Sequence, residues 1–416
     1  MYKRITKCRL CGNTDLVDIV DLGNQVLDGV FPRDIREDVD SAPLELVKCN
    51  ESTDNEKCGL VQLKHTYCFN KDYWEKYGYR SSINETMKRH LEEKVGRIIK
   101  TADPDPGDCI LDIGSNDGTL LKAYPQKGLM LIGVDPGGRT FRKYYPDNIH
   151  LIDDYFSSEI MKKILGKRKV KAVTSIAVIY DLEAPAEFAK QVHDILSDDG
   201  IWVFEQSYLP SMLQQNAYDT ICHEHLAYYR LSQIKWMLDR TGFKIIDIEL
   251  NAINGGSFSV TAAKTHSVFN EKSAYMAELI AMEQKDGLQT LAPYEKFSNR
   301  IYAHREQLCK IIHDIRAGGE LIIGYGASTK GNVLLQFCGF NSNDISYIAE
   351  VNEDKFGCYT PGTKIPIISE EKAHVLNPGY FLVFPWHFRD NFLKKEEKYL
   401  SQGGKLLFPL PKISIV

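Results

Sequence analysis

At 416 residues the chain is too long for one ordinary hydrophobic core, so two or three domains are expected. Its 43% apolar and 26% charged residues suit a folded globular protein, and a net charge of -5 argues against a nucleic-acid surface. The basic start MYKRITKCRLCG has no apolar run behind it, and no segment nears the ~18 apolar residues of a membrane helix, so a cytoplasmic protein is expected.

The first segment, residues 1–70, is marked by cysteines. CRLCG supplies Cys8 and Cys11, and KCNESTDNEKCGL supplies Cys49 and Cys58. Ten cysteines in a cytosolic chain read as thiols and metal ligands, not as a disulfide framework. Two pairs on separate loops predict a structural zinc site, because tetrahedral zinc takes four thiolates. The second pair is spaced more widely than a usual knuckle, which leaves Cys68 as a substitute for Cys49. Such a closed site would be structural and would hold together a piece too small to fold well alone.

The second segment, residues 71–265, opens with SSINETMKRHLEEKVGRIIKTA, in which Met87, Leu91, Val95, Ile98 and Ile99 recur at helical spacing. After the breaker DPDPGD, the apolar runs in CILDIG, LMLIGV, HLID, VKAVTSI and GIWVFEQSYL alternate with helical stretches. That is the pattern of an α/β domain with a doubly wound parallel sheet. The third segment, residues 266–416, begins with a long helical pattern over about 270–316. ELIIGY, ISYIAE, YFLVFP and GKLLFP then read as strands of a second, smaller α/β domain. The two α/β segments show no sequence repeat.

The loop LDIGSNDGTLL sets Asp112, Gly114, Asn116 and Gly118 where a strand turns into a helix whose amides face a ligand. It is not the dinucleotide fingerprint, which needs a glycine two positions after the first. Asp135 ends the next strand, placed to take both hydroxyls of a ribose, and Asp154 is placed to accept from an adenine amine. Acid, glycine turn, acid, acid after successive strands resembles the S-adenosylmethionine site of class I methyltransferases. In the third segment GYGASTKGN departs from both the Rossmann and the Walker patterns. Its turn at Gly326, with Ser328 and Lys330, suits a diphosphate, and Glu350 ends the following strand where it can reach a ribose.

YDTICHEHLAYY gathers His223, Glu224 and His225. The trio reads as metal ligands, as a base with its support, or as a polar turn. His-x-His with no fourth ligand nearby is a weak metal signal. An extended backbone would put His223 and His225 on one face and Glu224 on the other.

These motifs together resemble one family, the nucleotide-sugar C-3 methyltransferases, which build branched deoxysugars of antibiotics and surface polysaccharides. The likeness runs through CGLVQL, YGYRSSINETMKRHL, YDTICHEHLAYY, NGGSFSV, GASTKGN, YTPGTKIPI, PWHFRDN and GGKLLFPLP, and so covers nearly the whole chain. It implies a zinc-binding N-terminal domain, a class I S-adenosylmethionine methyltransferase core and a C-terminal Rossmann-like domain, with a nucleotide-linked 4-ketosugar held between the last two. It makes His225 the base that removes the C3 proton, with Glu224, Tyr79 and His223 around it. A 4-keto group acidifies that proton, so a base of near-neutral pKa suffices. Two departures stand out: Cys222 occupies a position where relatives often carry tyrosine, and Asn254 and Ser259 stand where they often carry histidine and arginine. The resemblance implies no nucleic-acid or membrane partner and a monomer or small homo-oligomer. An O- or N-methyltransferase of a sugar or small molecule is the competing reading.

Overall fold

The computed structural model describes residues 2–51, 56–125 and 127–416. β1 (Tyr2–Arg4) pairs antiparallel with β5 (His65–Tyr67), while β2 (Leu16–Val26), β3 (Ser41–Cys49) and β4 (Val61–Leu63) form an antiparallel meander. Along β2, Val20 and Leu22 are buried while Asp21 and Gly23 face water, the period-two alternation of a sheet with one wet face. Cys8 and Cys11 follow β1, Cys49 ends β3 and Cys58 precedes β4.

The central segment contributes β6 (Cys109–Ile113), β7 (Met130–Val134), β8 (Ile149–Ile152), β9 (Val170–Ile176), β10 (Leu196–Ser207), β11 (Ala227–Tyr228), β12 (Phe243–Asn251) and β13 (Ser257–Lys264). Seven of these make one sheet in the order β12-β13-β10-β9-β6-β7-β8. It is parallel from β8 to β10, and β13 runs antiparallel to both of its neighbours. Every residue of β6 is buried, as a parallel strand covered on both faces requires. The helix Glu85–Ala102 lays Met87, Leu91, Val95 and Ile98 on this sheet. Asn84 caps it by accepting from the Thr86 and Met87 amides, and it stops at left-handed Asp103. Strand order reverses at β6, which opens a ligand crevice at the carboxyl ends of the strands, the arrangement of a class I methyltransferase.

The remaining strands are β14 (Ile322–Tyr325), β15 (Tyr347–Glu350), β16 (Ile367–Ser369), β17 (Tyr380–Val383), β18 (Lys405–Phe408) and β19 (Ser414–Ile415). Their sheet runs β16-β15-β14-β17-β18-β19, parallel except for β19, and its strand order reverses at β14. The single helical stretch expected over about 270–316 is two helices, Ser273–Lys285 and Ala292–Ala317. The break falls where Gly287 takes φ +70° and Pro293 opens the second helix.

β11 leaves the central sheet and pairs with β4, extending the first sheet to the order β11-β4-β3-β2. The His-Glu-His residues immediately precede it. They therefore sit where all three segments meet.

Candidate active site

A cleft of about 720 Å³ lies between the two crevices. Asp112, Gly114, Asn116 and Asp135 line it from the central sheet, and Gly326, Ser328, Lys330 and Glu350 from the C-terminal one. His225 and Tyr79 also line it. His223, Glu224 and Asp154 do not.

The His-Glu-His backbone is a turn, not a strand, so the two histidines do not share a face. His225 donates from Nδ1 to the Thr220 carbonyl at 2.9 Å and packs against Tyr180 with ring centres 4.1 Å apart and planes tilted by 50°. This fixes the proton on Nδ1 and leaves the lone pair on Nε2. Burial pushes the imidazole pKa down to about 4, aided by the nearby Lys330 charge, so the ring is neutral at pH 7. His223 points the other way. Its Nε2 donates to the Ala42 carbonyl at 3.0 Å, and its Nδ1 forms a 3.3 Å ion pair with fully buried Asp28. Burial works against the imidazolium, but the Asp28 carboxylate outweighs it and raises the His223 pKa. Asp28 in turn receives Gln336 Nε2 at 2.8 Å, so His223 helps tie the first sheet to the helix Thr329–Cys338. Glu224 is buried and accepts from the Tyr73 hydroxyl. Neither Glu224 nor His223 lines the cleft; their side chains turn to Tyr73 and Asp28.

On the cofactor side, Gly114 takes φ +72°, and a Cβ there would come within 2.5 Å of Val178. Gly118 also takes a positive φ of 73° and starts the helix Thr119–Lys122. Asp112 accepts the Thr174 hydroxyl at 2.6 Å, and burial raises its pKa to about 7. Asp135 accepts the Asn116 amide at 2.8 Å on one oxygen and the Gly137 amide at 2.8 Å on the other. It thus shapes the glycine loop while keeping a lone pair on each oxygen for a ribose. Asp154, expected at an adenine amine, does not line the cleft and pairs with Lys71 at 3.1 Å. Trp74, Tyr155, Phe156 and Phe188 wall that part of the cleft instead, a surface on which a flat base can stack. Asp135, the glycine turn and these rings fit S-adenosylmethionine. Asp135→Ala is expected to weaken its binding by roughly 10- to 100-fold, since bonds to a charged group contribute about 1.5–3 kcal/mol. Titration calorimetry checks this, and an unchanged affinity would remove Asp135 from the site.

The C-terminal loop repeats this arrangement. Glu350 accepts the Ala327 amide at 2.8 Å on one oxygen and the Val351 and Asn352 amides at 2.8 and 2.9 Å on the other. Ser328 caps the helix Thr329–Cys338 by accepting from Gly331 at 3.0 Å. Gly326 has φ +89°, and Pro385 would lie 2.7 Å from a Cβ there. Lys330 Nζ reaches across the cleft and donates to the Asn254 carbonyl at 2.8 Å.

Several lining residues carried no signal in the sequence. Gln206 is buried at the end of β10, and neither atom of its side-chain amide has a protein partner among the described residues. Asp181 Oδ1 and His387 Nδ1 also lack partners, and both residues line the cleft. Burial raises the Asp181 pKa well above the carboxylate range, and it lowers that of His387 to about 3. His387 lies in the PWHFRDN motif, the one signal that pointed toward it. Glu205 lines the cleft too, but His90 at 2.7 Å and Lys94 at 2.8 Å overcome its burial and hold its pKa at about 2. It therefore serves as a charge anchor.

Away from the cleft, Cys8, Cys11, Cys49 and Cys58 present their sulfurs within 4.8 Å of one another. Cys68 is exposed and apart from them. The Cys8–Cys58 and Cys11–Cys49 separations of 3.5 and 3.6 Å are close to the ~3.8 Å edge of a tetrahedron built on ~2.3 Å zinc–sulfur bonds. Asn13 Nδ2 donates to the Cys49 sulfur at 3.3 Å, the outer support a thiolate ligand needs. The donor set fits structural zinc.

Three family models match the chain in succession: a zinc binding domain over 8–73, a methyltransferase domain over 83–248 and a C-methyltransferase C-terminal domain over 252–411. The C-methyltransferase NovU of Streptomyces niveus is 29% identical, with all of this chain aligned to 98% of that protein. Solved structures sharing similarity include magnesium protoporphyrin IX methyltransferase of Synechocystis with bound SAM, 16% identical over 43% of this chain and 79% of that one, with a TM-score of 0.31. Another is an S-adenosylmethionine-dependent methyltransferase of Clostridium acetobutylicum, 12% identical over 42% and 92% of the two chains, with a TM-score of 0.32. No helix among the described residues is long and apolar enough to cross a membrane. With its class I sheet, its four-cysteine zinc site and a methyltransferase domain model over its central segment, the chain is an S-adenosylmethionine-dependent methyltransferase.

Proposed function

We propose that the enzyme methylates C3 of a nucleotide-linked 4-keto-6-deoxy sugar, with His225 as the base. The observation that carries this reading is the His225 tautomer: Nδ1 is committed to Thr220, and the ring lines a cleft bordered by both crevices. A neutral imidazole with a free Nε2 suits removal of a proton acidified by an adjacent ketone. Bound S-adenosylmethionine supplies an electrophilic methyl that carries its own leaving group. Asp112, Gly114, Asn116 and Asp135 form its side of the cleft, and Gly118 shapes the loop behind them. Gly326, Ser328, Glu350 and Lys330 form the sugar-nucleotide side, and Tyr79 stands at the exposed mouth. His225 takes the C3 proton onto Nε2, the electrons pass into an enolate, and C3 becomes the nucleophile. Holding both reactants in one cleft supplies much of the rate. The domains are read as 1–70, 71–265 and 266–416, with β11 returning to the first sheet.

The NovU relative, a C-methyltransferase by name, supports carbon over oxygen or nitrogen as the acceptor. The test is incubation with S-adenosylmethionine and TDP-, GDP- and UDP-linked 4-keto-6-deoxy sugars, each beside the same sugar lacking the ketone. A mass gain of one methyl confined to the ketosugars is expected. Methylation of the non-keto controls would replace this reading with an O- or N-methyltransferase.

A further inference from the structure

Lys330 sits in the first turn of the helix Thr329–Cys338, after a glycine loop suited to phosphate, yet its side chain is spent elsewhere. Its Nζ crosses to the Asn254 carbonyl at 2.8 Å, a bond that uses one of three ammonium donors. Lys330 lines the cleft in company with His225, Cys222 and His387. Behind it lies Asp219, fully buried, whose Oδ2 accepts the Trp386 indole N–H at 2.8 Å and whose Oδ1 has no hydrogen-bond partner among the described residues.

We propose that Lys330 binds the oxygen of the 4-keto group and stabilises the enolate that forms when His225 removes the C3 proton, and does not bind the diphosphate. This rests on the ketosugar reading above. The argument starts from distance within the substrate. The ketone carbon is bonded directly to C3, so an acidic C3–H and its carbonyl oxygen are inseparable neighbours. A cation beside the base is therefore a cation beside the oxygen that takes up the electrons. The diphosphate hangs from C1, on the far side of C2.

The second step concerns charge. Lys330 disfavours a proton on His225, whose pKa its charge helps to lower, and it acts on His387 in the same sense. Beside a general base that is a handicap, unless the same charge acidifies the substrate. On proton transfer an imidazolium and an enolate appear together. The ammonium repels the first and attracts the second, and hydrogen bonding at the oxygen adds to the attraction. The helix that carries Lys330 packs on the turn Tyr218–Thr220, whose Thr220 carbonyl holds His225, and the titratable groups that interact with the lysine charge are Asp219, Cys222, His225 and His387. Burial, the largest influence, lowers the Lys330 pKa, while Asp219 and Cys222 act to raise it. The balance is written plainly: the C3–H bond breaks, its proton goes to Nε2 of His225, and its electron pair becomes the C3–C4 double bond as the carbonyl π pair moves to oxygen. No oxidant or reductant is needed.

The experiment uses the full-length zinc-containing enzyme without S-adenosylmethionine, a TDP-linked 4-keto-6-deoxy sugar in deuterated water, and thymidine diphosphate as a binding probe. Lys330→Met is expected to slow C3 exchange at saturating sugar by about 100-fold or more, the usual cost of removing an oxyanion donor. Thymidine diphosphate affinity is expected to stay within about twofold on the same reasoning, since phosphate contacts are untouched. Lys330→Arg should restore part of the exchange. The acid limb of the exchange profile should move to higher pH in Lys330→Met, because His225 loses a neighbouring positive charge. Should Lys330→Met leave Asp219 uncompensated and unfold, the paired variant Lys330→Met with Asp219→Asn removes both charges and carries the same expectations. Weakened thymidine diphosphate binding with unchanged exchange at saturation would overturn the proposal and return Lys330 to the diphosphate. A wild-type enzyme that exchanges no C3 hydrogen sinks the ketosugar reading itself, whereas an exchanging wild type with an unaffected Lys330→Met variant sinks only the role of the lysine.

Discussion

Replacing His225 with alanine or asparagine is expected to suppress both C3 exchange and methylation by about 10²–10⁴, the usual contribution of a general base. Affinity for S-adenosylmethionine should stay near normal, because none of the residues assigned to the cofactor bonds to this ring. The Thr220 carbonyl fixes the productive tautomer, and the Tyr180 ring packs against the imidazole. The sign of the pH dependence follows from the lowered pKa. His225 is in its base form above about 4, so activity should fall as pH drops through that value and stay level above it. A His223 variant should behave differently. Removing the ring that sits between Asp28 and Ala42 strips a buried carboxylate of its counterion, and the loss should appear in thermal stability before it appears in exchange per folded molecule. Near wild-type exchange in the His225 variants would move the base elsewhere, and Tyr79, which shares the cleft, would be examined first.

The contrast between the two histidines shows where sequence reasoning stops. Strand runs such as CILDI and glycine turns such as Gly114 and Gly326 were readable because local sterics and periodicity decide them, and the positive φ at both glycines agrees. The acids that end β7 and β15 were found as well, but only half of their work was visible. Asp135 and Glu350 each hold a backbone amide of the preceding glycine loop, a contact that depends on two strands lying side by side. The family resemblance groups Glu224 and His223 with their neighbour His225. A turn at that point sends three neighbouring side chains to three different partners, Tyr73, Asp28 and Thr220. Asp154 pairs with Lys71 across 83 positions, a contact that no local pattern records. Gln206, Asp181 and His387 are single polar residues in apolar or unremarkable surroundings, and only the closed fold turns them toward one cleft.

Stripping zinc from the enzyme, or substituting one of its four cysteines, is expected to unfold the N-terminal module and with it the active site. Structural zinc sites contribute apparent binding free energies of about 10–16 kcal/mol near neutral pH, more than the stability of most domains. The first sheet buries Val20, Leu22, Leu44, Leu46, Val61 and Leu63 in a core shared with the C-terminal segment, and Cys49 and Cys58 are themselves buried. Its attachment to the catalytic domain runs close to the metal. Gln233 donates to the Cys58 carbonyl at 2.9 Å, and Arg9, between Cys8 and Cys11, donates to the Leu63 carbonyl at 2.6 Å. β4, which ends at Leu63, pairs with β11, the strand that directly follows the His225 turn. Loosening the sulfurs therefore loosens the base. Cys58→Ser should lower zinc content by elemental analysis and lower the unfolding temperature far more than it lowers exchange per folded molecule. Cys68→Ser should change neither, since that thiol is exposed and outside the cluster. Folded, active protein that contains no zinc would disprove the structural role, and a Cys58→Ser enzyme that is stable but slow would place the metal in the chemistry.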